Sequence, residues 1–254
     1  MPSPAPPDSK SHPDERPCPV AAVVVVAAGS SRRMVDAGVA DARKPLLRLD
    51  DRTLLEHACA RLAAAQTVRD VIVVGHADDV GLLEELRRSS PAMSGVVAVV
   101  PGGAERTDSV RAGVAACADD VDVIAVHDAA RPLVDPGRVD DVVRAAAEHG
   151  GALLGIPVRD TLKWTEDGER VSRTLDRRHV WAAHTPQAFR AAAFRRVLEA
   201  AIGEGARATD DAALWERYEG PPWLVEDDPT NFKVTTPPDL ELARALLAAN
   251  GDDS

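Results

Sequence analysis

Aromatic side chains are scarce. The 254 residues hold one Tyr, three Phe and four Trp, so a core must be built mainly from Ala, Val and Leu. Cysteine is scarce as well: Cys18, Cys59 and Cys117 are odd in number, widely spaced and form no CxxC. That argues against a disulfide framework or zinc site and favours a reducing cytoplasm. The histidines at 12, 57, 76, 127, 149, 179 and 184 show no metal-ligand spacing. Positive charge is in deficit, with a net charge of −11. A sequence-independent nucleic-acid binder needs a broad basic surface, so that class is excluded. Phosphorylated small molecules are not, because they need only a few cations in one place. Long apolar runs are missing too. The longest, residues 20–28, is too short to cross a bilayer, so no membrane partner is expected. The opening MPSPAPPDSKSHPDERPCP lacks a hydrophobic signal core and reads as a disordered tail over 1–19.

What the sequence does contain is a regular alternation. Strands are predicted over 20–28, 70–76, 95–100, 121–127 and 152–157, and helices over 53–65, 79–88, 107–117 and 136–149. Thr53 and Glu56 have capping-box spacing at the first helix start. Short-spaced alternation of this kind predicts a mostly parallel sheet covered by helices on both faces. The pattern breaks over 157–180. Asp167-Gly168 there is a hairpin signal, so an extended β-arm is predicted; having no core of its own, it is expected to pack on a second subunit. Helices over 188–203 and 210–217, a strand over 223–226 and a last helix from Thr236-Pro237 to about 249 complete one domain over 20–249, leaving 250–254 as a flexible end. The tryptophans at 164, 181, 215 and 223 are expected to be packing anchors.

Ligands of such folds gather at the carboxyl ends of the strands. Four valines and two alanines run into Gly29-Ser30-Ser31 and then Arg32-Arg33. Small residues let successive backbone N–H groups approach an anion, and the arginines add cations, as a nucleoside triphosphate would need. A tight turn with solvated arginines explains the loop equally well. It is neither GxxxxGK[ST] nor GxGxxG. Lys44 precedes Leu46, Leu47 and Leu49, which look buried, so it sits at the edge of a core segment. HDAARP, residues 127–132, follows a strand directly. Asp128 suits ligand hydroxyls or a cation and Arg131 a phosphate, or the two form a pair that only shapes the loop. Gly102, Gly103 and Ser109 also follow a strand, and Lys233 precedes the last helix. Thr185, Gln187, Thr209 and Asp210 could cap helices and nothing more.

Together AAGSSRRM, KPLLRLDDRTLLEH, GGAERTDSV, HDAARPLV, DTLKW, LDRRHVWAAHTPQAF, ATDDAALWE and NFKVTTPPDLELA resemble the 2-C-methyl-D-erythritol 4-phosphate cytidylyltransferase family of the non-mevalonate isoprenoid pathway. The resemblance implies a three-layer α/β nucleotidyltransferase fold with a dimerising β-arm. The implied reaction is transfer of a cytidylyl group from CTP to the alcohol phosphate, with Mg²⁺ held mainly by the triphosphate. It implies Arg33 and Lys44 as transition-state stabilisers, and Ala27, Ala28, Gly29, Gly103 and Ser109 around the nucleotide. Asp128, Arg131, Thr209 and Lys233 would meet the alcohol phosphate, with Thr161 and Arg177 arriving from the partner's arm in a homodimer. Chain length implies no fusion to a later pathway enzyme. Three departures stand out: Ser31 where the family usually has Gly, a longer segment before Lys44 that brings in Arg43 as a competing cation, and Ala104 in place of an acid. Ribitol-5-phosphate cytidylyltransferase is the nearest alternative, and Lys163 and Thr209 speak against it. A nucleotide-binding dimer without catalysis is a further alternative, supported by Ser31 and the longer segment.

Overall fold

A computed structural model describes residues 18–29 and 44–251. Most of the expected tail, together with Ser30, Ser31, Arg33 and Arg43, lies outside the described residues. Strand β1, Ala21–Val26, runs parallel to both β4, Val68–Gly75, and β6, Val123–Asp128. β4 in turn pairs in parallel with β5, Val96–Pro101. These are the uninterrupted Val- and Ala-rich runs of the sequence, and a strand covered on both faces needs such a run. In β1 the alternation splits two cores. Ala21, Val23 and Val25 face one, and Ala22 and Val24 the other.

The first core is closed by α1, Leu54–Ala63, α2, Val80–Ser89, and α4, Pro136–His149, through Leu55, Cys59, Leu62, Leu83, Val139 and Val143. The second is closed by α3, Arg106–Ala115, α5, Ala191–Gly203, and α6, Asp211–Tyr218, through Val110, Val114, Phe194, Leu198 and Trp215. Three layers result. The capping box at α1 forms as expected: Thr53 Oγ1 accepts from Glu56 N–H, and Glu56 Oε2 accepts from Thr53 N–H at 2.8 Å. Gly113 of α3 faces the sheet, and a Cβ there would stand 2.3 Å from Val24 Cγ1. Only a residue without a side chain lets α3 come so near.

The large sheet also contains β7, Gly151–Pro157, β10, Trp181–Arg190, and β11, Trp223–Glu226. Among the described residues it has seven strands, in the order β11-β7-β10-β6-β1-β4-β5. β10 was not expected. It runs antiparallel between β6 and β7, pairing Ala188 with Ala125 and Phe189 with Ile124. The helix expected from 188 therefore starts at Ala191, because the sheet ladder holds residues 188–190 extended. A two-residue ribbon of β2, Arg48–Leu49, and β3, Arg52–Thr53, was also not expected. The last helix, α7, spans Pro237–Gly251. Asp239, in its first turn, accepts from the N–H groups of Thr235 and Thr236.

The arm is a hairpin of β8, Lys163–Trp164, and β9, Arg173–Thr174. Its turn is set by Gly168 at φ +80° and by Asp167 Oδ1, which accepts from Glu169 and Arg170 N–H. Of the four tryptophans, Trp215 is a packing anchor at 5% exposure. Trp164, Trp181 and Trp223 are 47%, 36% and 55% exposed in the single chain, which corrects that expectation. They lie on the arm, at the start of β10 and on an edge strand, where among the described residues Trp164 is met by Arg173 and Trp223 by His149 and no packed layer covers them. Among the described residues, no helix is long and apolar enough to cross a membrane.

Candidate active site

The carboxyl ends of β1, β4, β5 and β6 share one rim, fixed by the register Val26–Val74, Val26–Asp128 and Gly75–Pro101. On one side lie loops of small residues. Ala27 N–H donates to Val74 O, and Gly102 N–H donates to Gly75 O at 2.7 Å. A Cβ on Gly102 would lie 2.7 Å from Ala28 Cβ and 2.8 Å from Ser109 Oγ, so the two loops touch only because Gly102 has none. Gly29 and Gly103 are exposed on this side. Ser109 is buried. Its Oγ accepts from Gly103 N–H at 3.1 Å and donates to Glu105 O, so this hydroxyl shapes the loop ahead of α3.

On the other side Asp128 ends β6. Its Oδ2 accepts from Lys233 Nζ at 2.6 Å, and Arg106 Nη2 lies 3.8 Å from Oδ1. Burial alone would raise the Asp128 carboxyl. The cations of Lys233, Arg106 and Arg131 outweigh it and hold the group below the usual carboxylate range. Lys233 is brought here by a laced segment. Asp227 Oδ2 receives His184 Nδ1 at 2.7 Å and Asn231 Nδ2 at 2.7 Å, while Asn231 Nδ2 also donates to Thr185 O. Val234 N–H then donates to Ala130 O. Thr185 Oγ1 in turn accepts from Asp128 N–H and stands 3.1 Å from His127 Nδ1. β10, the strand the sequence did not reveal, thus ties Asp128 to the segment bearing Lys233.

Arg131, read as a phosphate contact or as part of a loop-shaping pair, is buried; its guanidinium donates to Asn231 O at 2.7 Å and Ala183 O at 3.5 Å, so it fastens the same segment to the rim. Thr209 is exposed just before Asp210, whose carboxylate caps α6 by accepting from Ala213 N–H. Gln187 reaches the same helix start, where its Oε1 accepts from Ala212 N–H at 2.8 Å. Gln187 and Asp210 thus match the capping role read for them, whereas Thr185 bridges His127 and Asp128. Lys44 opens a short 3₁₀ turn, Lys44–Leu46. The next residues, Leu47 and Leu49, are buried with Leu133 and Val234, which brings that segment against the loop after β6 and the chain beyond Lys233. Arg33 lies outside the described residues.

Thr161 and Arg177 sit exposed on the arm, and Arg177 Nη1 donates to Arg159 O. Among the described residues, neither makes a hydrogen bond or ion pair with the rim loops. The sequence reading did not single out Arg106, Asp211, His184, Asp227 or Asn231. The first two stood within GGAERTDSV and ATDDAALWE, and a charged residue in the first turn of a helix at the rim was the available signal.

Small-residue loops beside an acid flanked by cations, at the carboxyl rim of a mostly parallel sheet, define a nucleotidyltransferase of the α/β class. Residues 21–249 match the family profile of 2-C-methyl-D-erythritol 4-phosphate cytidylyltransferase. The enzyme of that name from Pelotomaculum thermopropionicum is 38% identical over 228 residues, covering 90% of this chain and 94% of its own. That from Aromatoleum aromaticum is 41% identical over 234 residues, covering 90% and 95%. The crystal structure of the Thermus thermophilus enzyme superposes with a TM-score of 0.71 at 33% identity, over 89% of this chain and 98% of that one. The chain belongs to the 2-C-methyl-D-erythritol 4-phosphate cytidylyltransferase family.

Proposed function

We propose that this chain transfers the cytidylyl group of CTP to 2-C-methyl-D-erythritol 4-phosphate, giving the CDP-alcohol and pyrophosphate. The observation that carries the reading is the Asp128–Lys233 pair set opposite the Ala28–Gly102 loops on one rim. A phosphate oxygen of the acceptor attacks the α-phosphorus in line, and the bond to the bridging oxygen of pyrophosphate breaks. No covalent nucleophile from the protein is required. The protein orients two polyanions and neutralises the charge that builds up on them.

Ala27, Ala28, Gly29 and Gly103 surround the nucleotide in this reading, with Ser109 holding the Gly103 turn in shape. Arg33 and Lys44 stabilise the transition state. Asp128 accepts from acceptor hydroxyls, Lys233 meets the acceptor phosphate, Arg131 fixes the Lys233 segment, and Thr209 contributes its hydroxyl. Among the described residues no cluster of metal-ligating side chains is present, so Mg²⁺ brought with CTP would be held mainly by the substrate's phosphates and would supply neutralisation of the triphosphate charge. The arm supports a homodimer in which Thr161 and Arg177 of one chain enter the site of the other. Its exposed Trp164 and Val171 are the kind of surface a second copy would cover. The three free thiols suit a cytoplasmic location.

A pyrophosphate-release assay on the full chain with CTP and Mg²⁺ tests the reading. Turnover with methylerythritol phosphate that exceeds turnover with ribitol 5-phosphate is expected, and a chelator should abolish it. Preference for ribitol 5-phosphate, or CTP binding without turnover on either acceptor, would overturn the assignment.

A further inference from the structure

One buried carboxylate at the rim has no place in the reaction as described. Asp211 is fully buried, and among the described residues neither of its oxygens has an aligned hydrogen bond. Its neighbour is Arg106 Nη2, 2.8 Å from Oδ2. The contact is one of charge. Burial pushes the Asp211 carboxyl above its ordinary range, and Arg106 opposes that shift without cancelling it. A buried ion pair of this kind is a poor source of stability, because desolvation consumes much of the Coulomb gain.

Its position is more telling than its energy. Arg106 is the first residue of α3, directly after the Gly102–Gly103 loop on the nucleotide side. Asp211 opens α6, two residues after Thr209 on the acceptor side. The same Nη2 lies 3.8 Å from Asp128 Oδ1. Arg106 therefore joins three loops: the one that borders the nucleotide, the one that carries Asp128 and the one that carries Thr209. Asp128 consequently has a cation on each oxygen, and the two differ in freedom. Lys233 is 41% exposed, whereas Arg106 is 30% exposed and anchored to a buried acid. When Lys233 turns toward an acceptor phosphate, Asp128 loses its partner on Oδ2. Arg106 stays, and keeps that carboxylate ionised and oriented as an acceptor for hydroxyls.

We propose that Arg106, anchored by Asp211, is a positioning residue that holds Asp128 for the acceptor alcohol and sets the acceptor half of the site against the nucleotide half. The inference rests on the proposed reaction. Arg106 acts through Asp128 and does not touch the reacting atoms.

The test is steady-state pyrophosphate release by the full chain, with CTP and the alcohol phosphate varied separately. The double variant Arg106→Met/Asp211→Leu removes both charges together, so no lone ion is left buried and folding is expected. Arg106→Lys keeps a charge beside Asp211 but replaces the guanidinium Nη2 that faces both carboxylates with a shorter, more mobile ammonium, and carries the same readout should the double variant fail to fold. Both are expected to raise the KM for the alcohol phosphate about tenfold, a change of about 1.4 kcal/mol. The KM for CTP should stay within about twofold of wild type. Either both KM values unchanged in a folded variant, or both rising together, would overturn the proposal. The same split can be read as Kd values by calorimetry with CTP and with the alcohol phosphate. A wild type without turnover would thus sink the proposed reaction while this test still decides the role of Arg106.

Discussion

Replacing Asn231 by Ala tests whether the segment before the last helix is held by the buried network or merely lies beside it. Asn231 is fully buried, and its Nδ2 donates both to Asp227 Oδ2 at 2.7 Å and to Thr185 O at 2.9 Å. The first is a bond to a charged acceptor, worth about 1.5–3 kcal/mol, and the second a neutral one, worth about 0.5–1.5 kcal/mol. Asn231 Oδ1 has no partner among the described residues, so removing it relieves about 1 kcal/mol of desolvation. The net loss is about 1–3.5 kcal/mol. For a domain of this size that corresponds to a fall in Tm of about 2–14 °C. Calorimetric melting and urea unfolding measure it, the latter with an unchanged slope. Lys233 follows two residues on, so the KM for the alcohol phosphate should rise while that for CTP stays put. A variant with wild-type Tm and wild-type kinetics would refute the claim that this network positions Lys233.

Three other outcomes follow from the same coordinates. Burial pushes the His127 imidazole down to about 4, and its Nδ1 faces the Thr185 hydroxyl while Nε2 faces Arg131 O. The unfolded chain takes up a proton near pH 6.5 that the folded chain refuses, so stability present above about pH 6.5 should be lost as pH falls toward 4, by about 3 kcal/mol; urea midpoints for His127→Gln that decline as steeply as wild type would acquit His127. Gly113→Ala places a Cβ 2.3 Å from Val24 Cγ1 and 2.7 Å from Val74 Cγ2, and overpacking should cost about 1–3 kcal/mol in thermal melts, where a stabilised variant would contradict the close approach. Arg177→Ala should raise the KM for the alcohol phosphate and spare that for CTP; equal losses in both would remove the arm from the acceptor site.

The parallel half of the sheet was legible because its strands carry their burial in composition. Residues 21–26, 71–74 and 123–126 are unbroken Val, Ala and Ile, and all of them are buried except Val26, which is half-buried at the rim. β10 was not legible for the converse reason. Its buried stretch is His184, Thr185, Pro186, Gln187, Ala188 and Phe189, polar at the points where strand periodicity is usually read. Those polar groups are buried because each has a partner distant in sequence: Asp227, His127 and the start of α6. No local window contains such partners. The same limit applies to Arg106 and Asp211, 105 positions apart, which look like ordinary surface charges until the fold joins them. Arg131 shows the same limit from the other side: its place beside Asp128 suggested a phosphate ligand, while the carbonyls that engage it, about 50 and 100 residues further along, could not be read locally.

These partnerships sort the cations of the rim by what they are free to do. A chain of net charge −11 repels a triphosphate at long range, so binding must be won locally. Arg131 is engaged by two backbone carbonyls, and Arg106 cannot leave Asp211 without stranding a buried charge. Among the described residues Lys233 is held by a single acid and is the most exposed of the three. Exchange of Asp128 for a phosphate costs it little, because one charged acceptor replaces another. The fixed arginines thus define where Asp128 and the Lys233 segment stand, and the lysine is the part of the cluster suited to follow a substrate. A flexible lysine on a rigid base of arginines divides the work between orientation and charge, and that division is what separates the expected effects of Arg106, Asn231 and Arg177 on the two KM values.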